Sequence, residues 1–483
     1  MSGSGLLQRL YTRSPVFIQD LGVSLYGVKV YLREYGRKFD RMLTEFEQHL
    51  TWTPNELKAF QDERIKALAL HCYEEIPYYR EMMHGMRLTP SDIQSVDDLH
   101  KLPLLTRQLV MENGDRLVAR NASKADRIVG YTSGTTGSPM RLVWDRRVCL
   151  AKTVVDWRQK RLAGLNPGDR IAFFLGRQVT PLGQKRPPFW RHNRVLNHLF
   201  CSSFHLSSVN LPAYLEKLER FRPRAIEGYP STLSILAGYL NSRRETFPLQ
   251  AVLASSETLL PAQRESIERA FGCRVFDFYG MAERAVFATE CAEHRGKHVN
   301  SDFGHVEVRA GGKEAAADAE MGRIVATSLH NFSMPLLRYE TSDITALQAE
   351  PCRCGCAMPV MSGVATKDED IVVTPDGRYI SSSILNAVTH HLTNIVESQI
   401  IQESVDRITM RVVPGAGYGD EDSQFIRKAL REVLGDGVGV GIELVESIPR
   451  TASGKFRWVI SKVPLGFSGT TSGRPPASAR VRR

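Results

Sequence analysis

The chain has 483 residues, of which 42% are hydrophobic and 24% are charged, and its formal net charge is +10. This composition is typical of a folded globular protein and excludes a disordered or fibrous chain. The positive charge permits attraction to phosphates or anionic lipid headgroups. Because the sequence contains no Cys/His finger, RNA-reading aromatic motif or heptad-backed basic region, we expect no nucleic-acid partner.

Residues 1–120 are predicted to be mainly helical. The segment "NELKAFQDERIKALALHCYEEI" has apolar residues at three- and four-residue intervals, and the preceding "TP" predicts a helix start. Nearer the N-terminus, "SPVFIQDLGVSLYGVKVYL" is interrupted by Asp20 and Lys29 and lacks a cleavage site, so neither a spanning helix nor a signal peptide is expected. Two interpretations of this segment stay open: a helix packed on its own protein, which is favoured, and an amphipathic element on a membrane surface.

Residues 121–366 alternate between strand-like and helix-like runs. Strands are predicted for "RIVGY", "RIAFFL", "RAIEGY", "AVLASS", "CRVFDFYG", "HVEVRA" and "GRIVATSL", and helices for "LPAYLEKLERF" and "PAQRESIERAF". Such an alternation is typical of an α/β domain with a largely parallel sheet.

Residues 367–465 are predicted to form a separate small α+β domain, with a boundary near residue 366. A hairpin around "PDG" comes first, followed by a helix "SSILNAVTHHL", a strand pair, a helix "EDSQFIRKALREVL" and a strand "VGVGIELVESI". A segment of this length can fold as a domain of its own. Residues 466–483 are rich in Pro, Ser and Arg, which indicates a disordered basic tail.

Between two predicted strands, residues 131–139 read "YTSGTTGSP". Glycines and short hydroxyl side chains are typical either of a flexible connection or of a loop that wraps an anion. The flanking runs "RIVGY" and "MRLVW" favour the anion-binding loop, because two strands would hold its ends. The loop is not a Walker A motif, since Ser138 follows the last glycine where that motif requires lysine.

This loop resembles the phosphate-binding loop of the adenylate-forming enzymes, the superfamily of acyl-CoA ligases, luciferases and adenylation domains. The segments "DFYGMAE", "LLRYETSDI" and "IPRTASGKFR" resemble three further motifs of that superfamily, in the same order. Within it, "QKRPPFWRHN", "YGMAERAVFATEC" and "VVTPDGRYI" are similar to the phenylacetate-CoA ligase-like branch and its capsular polysaccharide biosynthesis relatives. The resemblance covers roughly residues 60–463.

The resemblance implies an α/β fold with a large nucleotide- and acyl-binding domain and a small mobile C-terminal lid. It implies an enzyme that uses ATP and Mg²⁺ to convert a small carboxylic acid into an acyl-adenylate, with release of pyrophosphate, and then transfers the acyl group, with CoA as the expected acceptor. One alternative is transfer to an amine or hydroxyl in polysaccharide or natural-product biosynthesis. A second alternative is a non-catalytic nucleotide-binding scaffold.

The resemblance also assigns site residues. The phosphate contacts fall on Thr132, Ser133, Gly134, Thr135, Thr136 and Gly137. The other ATP/AMP-binding positions are Ser256, Glu257, Asp277, Tyr279, Gly280 and Asp343. Of these, Asp343 matches the aspartate that accepts the ribose hydroxyls, and a helix cap is an equal alternative for Glu257.

Two charged residues are assigned to the reaction. Glu283 matches the magnesium-binding glutamate, and Lys455 matches the catalytic lysine that bridges the carboxylate and the α-phosphate. The hinge of the small domain falls on Glu369 and Asp370. The segments "EGYPSTL" and "QKRPPFWRHN" are expected to border the acyl pocket, although an exposed basic loop is an equal alternative for the second.

Three positions depart from the superfamily pattern: Ala282 replaces a threonine, Ser342 replaces a glycine, and Met140 stands where many relatives have lysine.

The cysteines suggest a second metal. Cys291, His298, Cys352 and Cys354 have the spacing of two ligand pairs, which predicts a structural zinc site of the kind found in the phenylacetate-CoA ligase branch. His294 and Cys356 are alternative ligands, and buried free thiols are the alternative to a metal. Nothing in the cysteine pattern implies secretion, so a cytoplasmic protein is expected. We expect a monomer or a dimer, with contact to a membrane or a biosynthetic complex left open.

Overall fold

The structure is a computed structural model. It describes residues 11, 14–123, 125–132, 140–310, 313–314, 322–362, 364, 371–380, 382, 384–385, 394–415, 417–449 and 457–463. Its longer helices are α1 (Val16–Glu34), α2 (Arg37–Gln48), α3 (Pro54–Glu75), α4 (Pro77–Gly85), α5 (Arg107–Glu112), α6 (Arg146–Leu162), α7 (Leu211–Phe221), α8 (Pro230–Ser242), α9 (Pro261–Phe271) and α10 (Asp420–Leu434). Short 3-10 turns occur at His49–Thr51, Pro90–Asp92, Val96–Lys101 and Ser203–His205.

The first strands are β1 (Ile128–Tyr131), β2 (Arg141–Trp144), β3 (Ile171–Phe174), β4 (Trp190–Asn193), β5 (His198–Cys201), β6 (Ala225–Gly228), β7 (Ala251–Ser255), β8 (Val275–Gly280), β9 (Phe287–Glu290) and β10 (Lys297–Val299). The others are β11 (Gly304–Ala310), β12 (Lys313–Glu314), β13 (Gly322–Ser328), β14 (Tyr339–Thr345), β15 (Val360–Met361), β16 (Val372–Val373), β17 (Tyr379–Ile380), β18 (Ile395–Ser404), β19 (Arg407–Pro414), β20 (Gly439–Leu444) and β21 (Val459–Ser461).

The helical start of the chain follows from its local sequence. Thr53 caps α3, because its side chain accepts from the Glu56 backbone N–H while the Glu56 carboxylate accepts from the Thr53 N–H at 2.8 Å. Pro54 occupies the first helical position, where it leaves no hydrogen bond unmade. The predicted helix start at "TP" is therefore confirmed.

A nine-stranded sheet forms the centre of the large domain, in the order β15-β10-β9-β8-β7-β6-β3-β5-β4. The five strands from β8 to β5 are parallel to one another, and antiparallel strands flank this group on both sides. The residues of β3 are all buried, as expected for a parallel strand covered on both faces. The predicted α/β class is thus confirmed.

The segment "QKRPPFWRHN" is not simply an exposed basic loop. Lys185 and Arg186 are exposed, but Phe189 is fully buried and Trp190–Asn193 forms β4, at one edge of the nine-stranded sheet. The Arg191 side chain is buried, and its Nε donates to Gln19 Oε1 at 2.7 Å. This long-range contact explains why an arginine lies inside an edge strand.

The remaining sheets are smaller. Strands β12-β11-β13-β14 form an antiparallel sheet, and β1 pairs with β2 so that Tyr131 lies opposite Arg141. In the C-terminal part, the order β20-β19-β18-β21 has one antiparallel pair in the middle and a parallel strand on each side. The side chains of α10 and these strands share one apolar cluster. Among the described helices, none is long and apolar enough to cross a bilayer.

Candidate functional site

The candidate site lies beyond the carboxyl ends of the parallel strands, where ligands bind in open α/β sheets. Strands β7 and β8 end at Ser255 and Gly280, and several predicted nucleotide contacts follow directly. Ser256 is exposed and has a φ of 71°, in the left-handed region that a residue with a Cβ seldom adopts. Gly280 packs so closely against Phe278 and Phe287 that a Cβ there would overlap their rings.

Two carboxylates at this end of the sheet are each held by a tyrosine hydroxyl. Tyr279 donates to Asp343 Oδ2 at 2.7 Å, which joins β8 to β14. Tyr339 donates to Glu283 Oε1 at 3.0 Å. The structure therefore brings together three residues that the sequence assigned to nucleotide and magnesium binding, namely Tyr279, Glu283 and Asp343.

The electrostatics of Glu283 reflect this position. Burial raises the pKa of Glu283, and the nearby charge of Asp343 raises it further. The Tyr339 hydroxyl and the Arg107 guanidinium oppose that rise by favouring the ionised carboxylate. The half-buried carboxylate and the neighbouring Tyr339 hydroxyl offer oxygen ligands, which a hard cation prefers.

The base of the glycine- and threonine-rich loop is described, but the loop itself is not. Thr132 N donates to Met140 O at 3.0 Å, and Met140 N donates to Thr132 Oγ1 at 3.1 Å. The predicted contacts Ser133, Gly134, Thr135, Thr136 and Gly137 lie outside the described residues. Thr132 is buried, so its hydroxyl closes the loop rather than lining its outer surface. Met140 is also buried, in the core of the large domain.

Arg107 is a member of this group that the sequence did not reveal. It is the first residue of α5, and its Nη1 donates to Thr132 Oγ1 at 3.0 Å. Its charge also acts on Glu283 and on Tyr339, to which it is hydrogen-bonded. No local signal distinguishes this arginine from the others in the chain, because its partners lie 25 to 232 positions away, at Thr132 and Tyr339.

A second connection runs from the loop hairpin to the turn that carries Glu283. Gly130 in β1 faces Trp144 in β2 so closely that a Cβ would overlap the indole. The guanidinium of Arg284 lies over the Trp144 ring, 4.2 Å from its centroid, and its Nη1 donates to Cys149 Sγ at 2.7 Å. Arg284 follows Glu283 directly in the chain. The contacts of Gly130 with Trp144 and of Trp144 with Arg284 therefore connect the β1–β2 hairpin to the Glu283 carboxylate.

Two predicted nucleotide contacts have other partners in the structure. The Asp277 carboxylate is buried and forms an ion pair with Lys297 at 2.6 Å. Burial raises the pKa of Asp277, while Lys297 opposes that shift. Glu257 accepts from the backbone N–H and the hydroxyl of Ser231, both at 2.9 Å, in the first turn of α8. The contacts of Glu257 therefore agree with the helix-cap interpretation of this residue.

The four predicted zinc ligands lie together, with their ligand atoms all within 4.8 Å of one another. Cys291 Sγ lies 3.7 Å from Cys352 Sγ, and Cys354 Sγ lies 3.3 Å from His298 Nε2. Four ligands placed tetrahedrally about zinc at roughly 2.0–2.3 Å would be separated by roughly 3.3–3.8 Å, so the set fits such an ion.

The protein environment also favours His298 over the alternatives. His298 Nδ1 lies 2.9 Å from the Met358 carbonyl, and that hydrogen bond would leave Nε2 as the ligand atom facing Cys354. His294 instead lies 3.2 Å from Glu290, and Cys356 is not in the four-residue group. All eight cysteines of the chain are free.

Lys455, Glu369 and Asp370 lie outside the described residues. The chain is anchored shortly after Lys455, because Gln399 Nε2 donates to Arg457 O at 2.7 Å and the buried Trp458 Nε1 donates to Ser398 Oγ at 3.1 Å. Ala282 and Ser342, which replace expected threonine and glycine residues, are both exposed.

With this geometry established, the chain can be compared with known proteins. Its fold is similar to that of 2-hydroxyisobutyryl-CoA ligase in complex with 2-HIB-AMP and CoA, with a TM-score of 0.56 at 23% identity over 86% of this chain and 91% of that one. The same ligase in the postadenylation state gives a TM-score of 0.55 at 22% identity, again over 86% of this chain and 91% of the other. The chain therefore has the fold of the adenylate-forming ligases.

The sequence relatives are more specific. Protein CapK of Staphylococcus aureus is 26% identical over 95% of this chain and all of its own length. The phenylacetate-coenzyme A ligase of Thermus thermophilus is 25% identical over 86% of this chain and 99% of its own. Residues 372–462 match the CapK C-terminal domain family. The chain is thus a homologue of CapK and of the phenylacetate-CoA ligases.

Proposed function

We propose that this protein is an ATP-dependent, AMP-forming acid–thiol ligase. In the first step a carboxylate oxygen of the substrate attacks the α-phosphorus of ATP, and the bond to the β-phosphate breaks to release pyrophosphate. In the second step the CoA thiolate attacks the acyl carbon, and AMP leaves. The products are an acyl-CoA, AMP and pyrophosphate.

The observation that carries this proposal is the convergence of two tyrosine–carboxylate pairs at the base of the phosphate loop. Asp343, oriented by Tyr279, presents the two-oxygen acceptor that a ribose diol requires. Glu283, oriented by Tyr339, stands beside Arg107 and Thr132, where a triphosphate and its counter-ion would lie. Phenylacetate-CoA ligase relatives support the same assignment of reaction.

Each remaining residue has a role in this scheme. The N–H groups and hydroxyls of residues 133–137 bind the β- and γ-phosphates, and Thr132 fixes the start of that loop. Lys455 stabilises the negative charge shared by the attacking carboxylate and the α-phosphate. Glu283 would hold Mg²⁺, which supplies charge neutralisation for the triphosphate.

The small domain, residues 367–465, acts as a lid. Rotation at Glu369 and Asp370 removes Lys455 after adenylation and opens the site for the thiol. Cys291, His298, Cys352 and Cys354 would hold a structural Zn²⁺. The reducing cytoplasm is the compartment in which three free thiols of this kind persist.

Carboxylate-dependent exchange of labelled pyrophosphate into ATP tests the first step. A panel of aromatic, aliphatic and hydroxy acids is screened with the full-length protein and Mg²⁺. We expect one acid class to stimulate exchange, and Lys455→Ala to lose at least about a hundredfold in rate, as when an oxyanion donor is removed. Lys462→Ala is the matched control, because this exposed lysine of the same domain pairs with Glu403.

Absence of exchange with every acid, in protein that binds ATP, would refute the ligase and leave the non-catalytic nucleotide-binding scaffold. ATP binding must be measured alongside exchange because of Ala282. This residue stands where the superfamily has a threonine, so a hydroxyl beside Glu283 is missing.

A second acceptor class is the alternative, because the motifs of the sequence also resemble those of the capsular polysaccharide biosynthesis relatives. In this version the adenylate forms in the same way, but an amine or hydroxyl, for example on a nucleotide-sugar, attacks the acyl carbon in place of the thiolate. Pre-formed acyl-AMP on the protein is challenged separately with CoA and with amino or hydroxyl sugars. The acceptor that releases AMP distinguishes the two versions.

A further inference from the structure

Helix α1 has its polar side turned inward and its apolar side turned outward. Gln19 and Gly27 are buried, whereas Phe17, Leu21, Leu25 and Leu32 are 72%, 57%, 61% and 76% exposed. In a helix packed on a globular protein the opposite arrangement is normal. The segment is therefore a helix on its own protein, as favoured from the sequence, but most of its apolar residues are exposed, and only Val23 and Val30 are half-buried.

The inward-facing polar residues of α1 form hydrogen bonds with the edge strand β4 of the nine-stranded sheet. Among the described strands, β4 pairs with β5 alone, so no strand covers the main-chain groups on its other side. Asp20 Oδ1 accepts from His192 N at 3.0 Å, and Ser24 Oγ donates to His192 O at 3.3 Å and accepts from Arg194 N at 3.2 Å. These contacts fix the rotation of α1 about its axis.

A glycine fixes the same rotation. A Cβ on Gly27 would overlap the Asn193 side chain, so the helix approaches β4 closely at this position. With its polar side committed to β4, the opposite side must face outward. The exposure of the apolar residues is therefore a property of the packing and not of a loosely placed helix.

The exposed residues form a continuous stripe. At 100° per residue, Phe17, Leu21, Leu25, Val28 and Leu32 fall within roughly 80° of the helix circumference and extend along roughly 22 Å. Val28 is also exposed, and so are the neighbouring Ile18 and Tyr31. Apolar patches of this kind on a protein surface mark sites of interaction with proteins or membranes.

Positive charge borders this stripe. Lys29 and Arg33 follow Val28 and Leu32 directly in the helix, and both are exposed. Arg37 and Lys38 are exposed at the start of α2, and Arg194 is exposed beside Ser24. Of the nearby acids, Glu34 pairs with Arg33, Asp20 is bonded to β4, and Asp40 is exposed in α2. The five basic residues outnumber these three acids, so the border has a net positive charge. An apolar stripe with a basic border is complementary to an anionic lipid surface.

We infer that α1 docks the protein onto an anionic bilayer surface, with the helix lying in the plane of the membrane. Phe17, Leu21, Leu25, Val28 and Leu32 would enter the boundary between headgroups and acyl chains, and Lys29 and Arg33 would contact lipid phosphates. The helix stays on β4 during docking, because leaving it would expose the sheet edge. A second copy fits this surface less well, since a two-fold contact would bring the same basic borders together. This inference is independent of the proposed ligase activity.

Co-sedimentation with vesicles tests the inference on the full-length protein. One set of vesicles is phosphatidylcholine alone, and the other is an equal mixture of phosphatidylcholine and phosphatidylglycerol. We expect binding to the mixed vesicles and little to the neutral ones. Leu21→Gln/Leu25→Gln should weaken binding at least roughly tenfold, because two apolar side chains no longer enter the lipid. Phe425→Gln/Leu444→Gln is the control, since both residues are exposed apolar side chains elsewhere and should leave binding unchanged.

The basic border is tested separately. Lys29→Gln/Arg33→Gln should weaken binding to the anionic vesicles roughly tenfold and reduce its dependence on salt. Unfolding midpoints equal to the unaltered protein establish that the variants are folded. The inference is overturned if the unaltered protein binds neither kind of vesicle, or if the α1 variants bind the anionic vesicles as well as the unaltered protein does. It is equally overturned if light scattering shows a dimer that Leu21→Gln/Leu25→Gln dissociates while vesicle binding is absent.

Discussion

Arg107 illustrates how a single side chain organises the proposed nucleotide site. Its guanidinium holds the hydroxyl of Thr132 at the base of the phosphate loop and acts on Glu283 from the same position. Charged hydrogen bonds gain strength in a partly buried setting, where the effective dielectric constant is below that of water. The arginine therefore holds Thr132 at the base of the loop and opposes the rise in the pKa of Glu283 that burial causes.

Replacing Arg107 should weaken the handling of ATP without unfolding the protein. For Arg107→Gln we expect kcat/KM for ATP in pyrophosphate exchange to fall about tenfold to a hundredfold, from the roughly 1.5–3 kcal/mol of a charged hydrogen bond. Arg116→Gln is the control, since Arg116 makes an exposed ion pair with Glu81. Unchanged kcat/KM in Arg107→Gln would exclude this role.

His198 is a buried residue that makes stability depend on pH. It lies against the rings of Phe173 and Phe200, and burial, with the charges of Lys160 and Arg177, lowers its pKa to about 3, against a smaller opposing effect of Asp156. The unfolded chain binds a proton here below about pH 6.5, whereas the folded protein does not until about pH 3. The resulting stabilisation of the folded state is complete above pH 6.5 and is lost progressively as the pH falls toward 3.

A histidine-to-phenylalanine change isolates this effect. Between pH 7 and pH 5 the unaltered protein should lose about 2 kcal/mol more unfolding free energy than His198→Phe, at about 1.4 kcal/mol per pH unit below pH 6.5. Denaturant unfolding at the two pH values gives both differences. Equal losses in the two proteins would mean that His198 is not held neutral.

Among the helices and strands, those with strong local patterns were predictable. The capped start of α3, the buried runs of β3 and β6–β8 and the hairpin β16–β17 agree with the periodicity and turn residues of the sequence. Strand β4 was not predicted, because its Arg191 is satisfied by Gln19, 172 positions earlier. The outward apolar side of α1 likewise depends on its contact with β4, which no local pattern encodes.

The Cys/His group brings together the β9–β10 hairpin and the loop before β15. Cys291 follows β9, His298 lies in β10, and Cys352 and Cys354 precede β15. A bound ion would fasten the loop before β15 to the β9–β10 hairpin, and its binding energy would add to the stability of the fold.

Loss of one thiol should therefore remove the metal and loosen this edge of the sheet. We expect one zinc per chain by elemental analysis, almost none in Cys354→Ser, and an unfolding midpoint several degrees lower in that variant. Cys356→Ser is the matched control and should keep the metal. A chelator should lower the midpoint of the unaltered protein but not of Cys354→Ser, and equal zinc in both proteins would contradict the site.

In the whole molecule, the site is assembled from distant parts of the chain. Motifs were sufficient to predict Glu283, Tyr279 and Asp343 as neighbours, but not the pairing of Glu283 with Tyr339 or the presence of Arg107, which depend on how the two large-domain sheets meet. Motif position alone also assigned Asp277 to the nucleotide, whereas its carboxylate pairs with Lys297. Local sequence does not distinguish a strand-end carboxylate that faces a ligand from one that neutralises a buried lysine.

The small domain contacts the large one through its first hairpin. Arg378 Nη1 donates to Phe204 O at 3.3 Å and to Val433 O at 2.6 Å, and the Phe204 ring packs in one cluster with Val372 and Ile380. If the small domain rotates about residues 369–370, as we propose, this contact must break or slide. The free energy of this contact between the domains would therefore affect how the protein is distributed between the two domain arrangements that the proposed half-reactions require.

The stack of Gly130, Trp144 and Arg284 gives the protein a built-in optical probe. The emission of an indole covered by a guanidinium changes when that cation moves, and Arg284 is joined to Glu283 by a single peptide bond. Titration with ATP and Mg²⁺ should alter tryptophan fluorescence, and Trp144→Phe should remove most of that change although four other tryptophans remain. An identical signal from Trp144→Phe would assign it to another indole. Otherwise, occupancy of the site can be followed in real time without any label and before a substrate acid has been found.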